Sequence, residues 1–84
     1  MKSENTLMFD VNEVNEKLIR TTLEDAVEAL AERGYNPINQ LVGYIISGDL
    51  GYISSYKETR NKLSKIDRST LVEVILKHYL KWDI

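Results

Sequence analysis

A chain of 84 residues with a net charge of −2 and no cysteine has room for one domain and excludes a disulfide framework or thiolate chemistry. The Met1-Lys2-Ser3-Glu4-Asn5 start is polar and no apolar run approaches the ~20 residues of a membrane span, so a cytoplasmic protein without membrane insertion is expected. The modest charge hides an asymmetry that weakens the case for nucleic acid without closing it: residues 1–49 carry four basic and nine acidic side chains, residues 50–84 seven and four.

Residues 1–12 show no sustained apolar period and read as a flexible N-terminal arm, with residues 13–84 forming a single helical domain. Asn12 is a candidate N-cap for the first helix. Glu13 and Glu16 suit the positive end of its dipole, and Arg33 suits the negative end. Leu18, Ile19, Leu23, Ala26, Val27 and Leu30, with Thr22 on the same stripe, recur at three- and four-residue spacing. Glu24, Asp25, Glu28 and Glu32 lie mostly opposite, which predicts a surface helix with an acidic outer face.

Gly34 can take the left-handed conformation that ends this helix. Asn36 can cap the next, with Pro37 at its first position, where the missing N–H is harmless. The second helix is expected over Pro37 to Ser47, with Gly48 closing it. Ile38, Leu41, Val42, Tyr44, Ile45 and Ile46 cover most of its circumference, so it is placed at the centre of the fold or of a dimer interface. Asp49 to Ile53 reads as a turn or a single helical turn.

Local physics needs a turn here, but it does not need this string of residues. Gly34-Tyr35-Asn36-Pro37-Ile38-Asn39-Gln40-Leu41-Val42-Gly43-Tyr44, followed by Ser47-Gly48-Asp49 and by Tyr52-Ile53, closely resembles the IreB family of small bacterial regulatory phosphoproteins. The resemblance runs from Thr6 to about Leu80. It implies a non-enzymatic protein controlled by a membrane-bound Ser/Thr kinase and a matching phosphatase, acting in cell-envelope stress and peptidoglycan supply. It also implies a phosphoacceptor threonine shortly before an aromatic residue, a place that Thr6 fills ahead of Phe9. Ser3 occupies the position of a second, less secure acceptor.

Further along, Ser55 and Glu58 have the spacing of a capping box, and Tyr56, Thr59, Leu63 and Ile66 form an inward stripe. Ser69 is the expected cap of the last helix, whose apolar side holds Leu71, Val72, Ile75, Leu76, Tyr79 and Leu80, with Trp82 closing the pattern. Lys57, Arg60, Lys62, Lys65 and Arg68 make a basic run opposed only by Glu58 and Asp67. On an unbroken helix, Lys57, Arg60 and Arg68 would share about a quarter of a turn; they are the candidate partner-binding residues. The simplest alternative is a solvated helix face. Relatives carry further arginines where this chain has Ser55 and Ser64, so a contact that needs the full set is weakened here.

Catalytic and metal chemistry find no support. His78 is the only histidine and reads as a core-edge residue. The acidic face of the first helix has no accompanying histidine or cysteine, and no loop spacing gathers the oxygens of a hard-metal site. Gly48 and Gly51 flank an acidic residue instead of forming a phosphate cradle. Most of the aromatic residues fall on apolar stripes and read as core, not as base-stacking platforms.

The fold class expected is all-α, a compact bundle of four to five short helices, as a dimer. The function expected is that of a non-enzymatic regulatory phosphoprotein with no cofactor and no metal. Its expected partners are a kinase, a phosphatase, a protein effector and a second copy of itself, and no nucleic acid. The alternative is a DNA-binding helix-turn-helix formed by two short helices around Ser47 to Ser55.

Overall fold

The computed structural model describes residues 11–82, with side-chain surroundings from Glu16 onward. Among these residues there is no strand, and four α-helices alternate with short turns: α1 (Val11–Glu32), α2 (Pro37–Ser47), α3 (Thr59–Ser64) and α4 (Arg68–Leu80). Two three-residue 3-10 turns, Leu50–Tyr52 and Tyr56–Glu58, lie between α2 and α3. Val11 and Asn12 are already helical, so α1 starts before the expected cap, and most of the predicted arm falls outside the described residues.

α1 is the spine, ~33 Å long at ~1.5 Å per residue, against which α2, α3 and the second 3-10 turn pack. Ile19, Thr22, Ala26, Ala29 and Leu30 form its buried stripe. The 3.6-residue period located most of this face. Leu18 departs from it, being 57% exposed, and borders a surface hollow with Ile19, Lys65, Ile66, Asp67 and Thr70 at the α3–α4 corner. The core joins Ile19 and Ala26 to Leu41, Tyr44, Ile53, Leu63, Leu71 and Val74.

The turn between α1 and α2 follows local chemistry. Gly34 has φ of +85°; its N–H donates to Ala31 O and that of Tyr35 to Leu30 O, the paired bonds that close a helix on a left-handed residue. Asn36 then accepts from Asn39 N at 3.1 Å, with Pro37 at the first helical position.

Downstream, the local signals are overruled. Ser55 makes no side-chain cap bond, and Tyr56 is exposed, not inward. The cause lies in Lys57 and Glu58, which both adopt left-handed backbone angles, φ +58° and +59°. They hold the Tyr56–Glu58 turn apart from α3, so no single helix carries the expected stripe. The buried Thr59 hydroxyl secures the junction by donating to Ser54 O and Tyr56 O. Left-handed angles in L-residues cost roughly 1–2 kcal/mol each. Glu58→Gly is therefore expected to raise stability by about 0.5–1 kcal/mol after glycine's own entropic cost is subtracted, read as a higher urea midpoint.

α4 starts at Arg68, behind an N-cap Asp67 whose side chain makes no cap bond; Ser69 is inside the helix and does not cap it. Its buried seam is Leu71 and Val74, while Val72, Ile75, Leu76, Tyr79 and Leu80 are 36% to 81% exposed. α2 is likewise only half covered: Leu41 and Tyr44 are buried, but Ile38, Val42 and Ile46 are 64%, 47% and 77% exposed. The apolar circumference of α2 therefore faces the core on one side and solvent on the other.

Candidate functional site

The glycine-rich stretch turns out to be a latch built from its own residues. An added Cβ on Gly43 would sit 2.5 Å from the Tyr52 ring, so the absence of a side chain in mid-helix lets that ring lie against α2. Gln40 Nε2 donates to Tyr52 O at 3.0 Å, fixing the backbone beyond the ring. Ser47 Oγ donates to Gly43 O and accepts from Asp49 N, while Asp49 Oδ1 accepts from Gly51 N at 2.8 Å. An isolated glycine inside a helical pattern is the sequence signal for such a close approach.

Two residues of the basic run extend the latch. Arg60 Nε donates to Ile53 O at 2.7 Å, and Arg68 Nη1 donates to Ile45 O at 2.9 Å. The second bond places a cation on one of the last carbonyls of α2, where a helix end carries partial negative charge. Both side chains lie on the polar side of their elements, as expected, yet each has a carbonyl acceptor distant in sequence that periodicity could not reveal.

Lys57 occupies a different setting. Its Nζ lies 2.9 Å from Glu28 Oε1 on α1 and 5.7 Å from the Tyr56 ring centroid. The hydrogen bond to Glu28 raises the lysine pKa above its ordinary value, with Glu28 and Glu32 charges adding to it. On the lysine side, a raised pKa means the stabilisation is present below the ordinary lysine range and is lost as pH climbs through the raised value. The contact is therefore indifferent to pH near neutrality. Lys62 pairs similarly with Asp25 at 3.1 Å, so α1's acidic face, predicted as solvated, partly serves to receive lysines.

The break at Lys57–Glu58 and the turn before Arg68 mean that Lys57, Arg60 and Arg68 do not share one helix face. Arg60 borders a cleft of about 230 Å³ whose other polar residues include Arg33, Tyr35, Gln40, Ser54 and Ser55. Arg33, read from sequence only as a helix-end charge, is brought to the same cleft as Arg60. Thr6 and Ser3 lie outside the described residues.

His78 is exposed at the edge between α1 and α4, 3.5 Å from Arg20 Nη2 through Nδ1 and 3.8 Å from Glu16 through Nε2. Among the described residues no three His, Cys, Asp or Glu side chains converge as a metal site would require, and no helix is long and apolar enough to cross a membrane. Of the tyrosines only Tyr44 is buried; Tyr35, Tyr52, Tyr56 and Tyr79, like Trp82, are exposed. The expectation that most aromatics fill the core is thus corrected, since the helices present them at their rims. The helix-turn-helix alternative has helices on both sides of Ser47–Ser55, α2 and α3, but two 3-10 turns separate them and α3, the only one that is basic, has six residues.

Compared with known families, the chain is matched over residues 4–81 by the sequence model of one described as the IreB regulatory phosphoprotein.

Proposed function

The chain belongs to the IreB family of regulatory phosphoproteins, and from that premise we propose that it is a non-enzymatic switch phosphorylated on Thr6 by a membrane Ser/Thr kinase. The match from residue 4 to residue 81, which includes Thr6, is the observation that carries this reading. A cognate phosphatase reverses the modification, with Ser3 as a lesser acceptor. The output is phosphorylation-dependent binding of a protein effector in the cytoplasm, controlling the cell-envelope stress response and peptidoglycan synthesis. No cofactor enters. Lys57, Arg60 and Arg68, although on separate elements, are the residues that meet the effector: all three are exposed, and each arginine has further guanidinium donors besides the one that holds a carbonyl.

Phosphate adds about −1.5 to −2 charge and three strong acceptors, so Thr6 modification is expected to alter binding without refolding the helices. Intact-mass analysis after incubation with the cognate kinase should show one added phosphate, abolished or strongly reduced in Thr6→Ala. A pull-down comparing the two phosphoforms should then recover the effector from one of them preferentially. Full modification of Thr6→Ala would reject the site, and equal recovery by both forms would reject the switch.

The protein acts as a homodimer. A small domain gains from burying further apolar surface, and the exposed Ile38, Val42 and Ile46 supply a stripe on α2 for a second copy. Because these side chains are already exposed within one chain, Ile46→Asp and Val42→Asp are expected to dissociate the dimer while leaving far-UV helicity intact. Light scattering is the measurement, and a wild-type mass of 9.7 kDa at high micromolar concentration would sink the idea.

A further inference from the structure

We propose that the arm bearing phosphorylated Thr6 docks on its own chain, in the cleft where the last turn of α4 meets the beginning of α1. The inference rests on Thr6 as phosphoacceptor and adds where the phosphate goes. The cleft is lined by Glu16, Lys77, His78, Lys81 and Trp82, and shares His78 with a mainly apolar groove of Ile19, Leu23, Val74, Ile75 and Tyr79 that Arg20 and Glu24 also border.

Chain geometry selects this end of the molecule. The described chain begins at Val11, and the five residues from Thr6 to Val11 span at most ~17 Å when fully extended. Glu28, which holds Lys57, lies seventeen helical residues beyond Val11, ~26 Å away at ~1.5 Å per residue. Arg60, which shares its cleft with Leu30 and Arg33, is at that far end of α1 too. Glu16 is only ~8 Å along the helix from Val11, and His78 reaches it at 3.8 Å. Within one chain, the phosphate therefore comes within range of α4's last turn, where two lysines gather, and of the single Lys65 beside Leu18, and falls short of Lys57.

The chemistry of the two surfaces is complementary. Lys77, His78 and Lys81 bring two fixed positive charges and a histidine to the cleft, set against the partial negative charge of α4's C-terminal end. Two carboxylates oppose them: Glu16 at the cleft itself, and Glu73, 3.4 Å from Lys77. A phosphate dianion carries more charge than either carboxylate and accepts more hydrogen bonds, so it competes for the same donors. Leu7, Met8 and Phe9 follow Thr6 directly in the sequence. Lying between Thr6 and Val11, they are tethered closer to the start of α1 than the phosphate and do not reach the groove at Leu23, ~18 Å along the helix, so the docking rests on the phosphate.

Trp82 is the only tryptophan and is 60% exposed, which makes it the reporter. The test uses full-length protein with phosphothreonine placed at position 6 by genetic incorporation, so that it proceeds whether or not a kinase modifies Thr6. Compared with the unmodified chain, acrylamide should quench Trp82 less, and amide NMR shifts should gather at Glu16 and from Lys77 to Trp82. The double variant Lys77→Gln/Lys81→Gln should lose both effects with helicity unchanged, whereas Lys57→Gln/Arg60→Gln should keep them. Shifts centred on Lys57, Arg60 or Arg33, or no shift at all, overturn the proposal. So does protection that disappears on dilution into monomer, which would assign the docked arm to a second copy. Absence of kinase modification at Thr6 would instead count against the phosphoacceptor reading, leaving the docking result to be judged on the incorporated phosphate.

Discussion

Replacing Leu63 with alanine is expected to lower the unfolding free energy by about 2–5 kcal/mol, the range for truncating a fully buried leucine. Leu63 is 0% exposed and sits in α3, a helix of six residues that is far too short to persist on its own in water. Its helicity depends on two buried side chains, Leu63 and Thr59, that hold it to the core. Small domains have total stabilities of roughly 5–15 kcal/mol, so the loss takes a large share and could unfold the chain at physiological temperature. Urea denaturation followed by circular dichroism measures it. Ile66→Ala, at a partly buried position beyond α3, should cost visibly less, and equal losses at the two positions would contradict the packing described.

The second large effect is expected at Gly48. Its φ of +79° already penalises any side chain by roughly 1–2 kcal/mol. An added Cβ would also meet the Arg68 guanidinium carbon at 2.8 Å, the group that holds Ile45 O. Gly48→Ala should therefore destabilise by about 2–3 kcal/mol, summing backbone strain and part of a charged hydrogen bond. Because Arg68 is exposed, its contribution is discounted for solvent screening. The double variant Gly48→Ala/Arg68→Ala separates the causes: a combined loss smaller than the sum of the singles shows that displacing the guanidinium was part of the cost. Strict additivity would leave backbone strain as the whole effect. Urea midpoints on the four proteins suffice.

Both residues stand in stretches singled out from sequence, yet for reasons only partly legible there. Gly34, Asn36, Pro37 and Gly48 could be assigned their roles because each acts through its own dihedral angles or through a bond to a residue three or four places away. The Ser55–Glu58 spacing looked equally local but failed. Lys57 and Glu58 take left-handed angles, and the Thr59 hydroxyl finds Ser54 O, so a longer-range arrangement displaced the cap. Arg60 and Arg68 read as polar-face residues, which they are, but Ile53 O and Ile45 O are seven and twenty-three positions distant.

What the chain determined by itself was the all-helical class, the ends of α2, the family fingerprint, and most of the buried stripe on α1. Each depends on chemistry within about one helical turn or on a string of residues that can be compared directly. Only the tertiary structure decided which apolar side chains were covered. Ala29 and Val74 went inward, while Leu18, Ile46 and Tyr79 stayed out, because burial belongs to whichever face meets a neighbouring helix and hydrophobicity alone does not choose it. It also decided that the basic run is divided between the latch, the acidic face of α1 and the start of α4. Helical periodicity places charges around one axis, but carbonyls and carboxylates arriving from other elements determine what those charges hold.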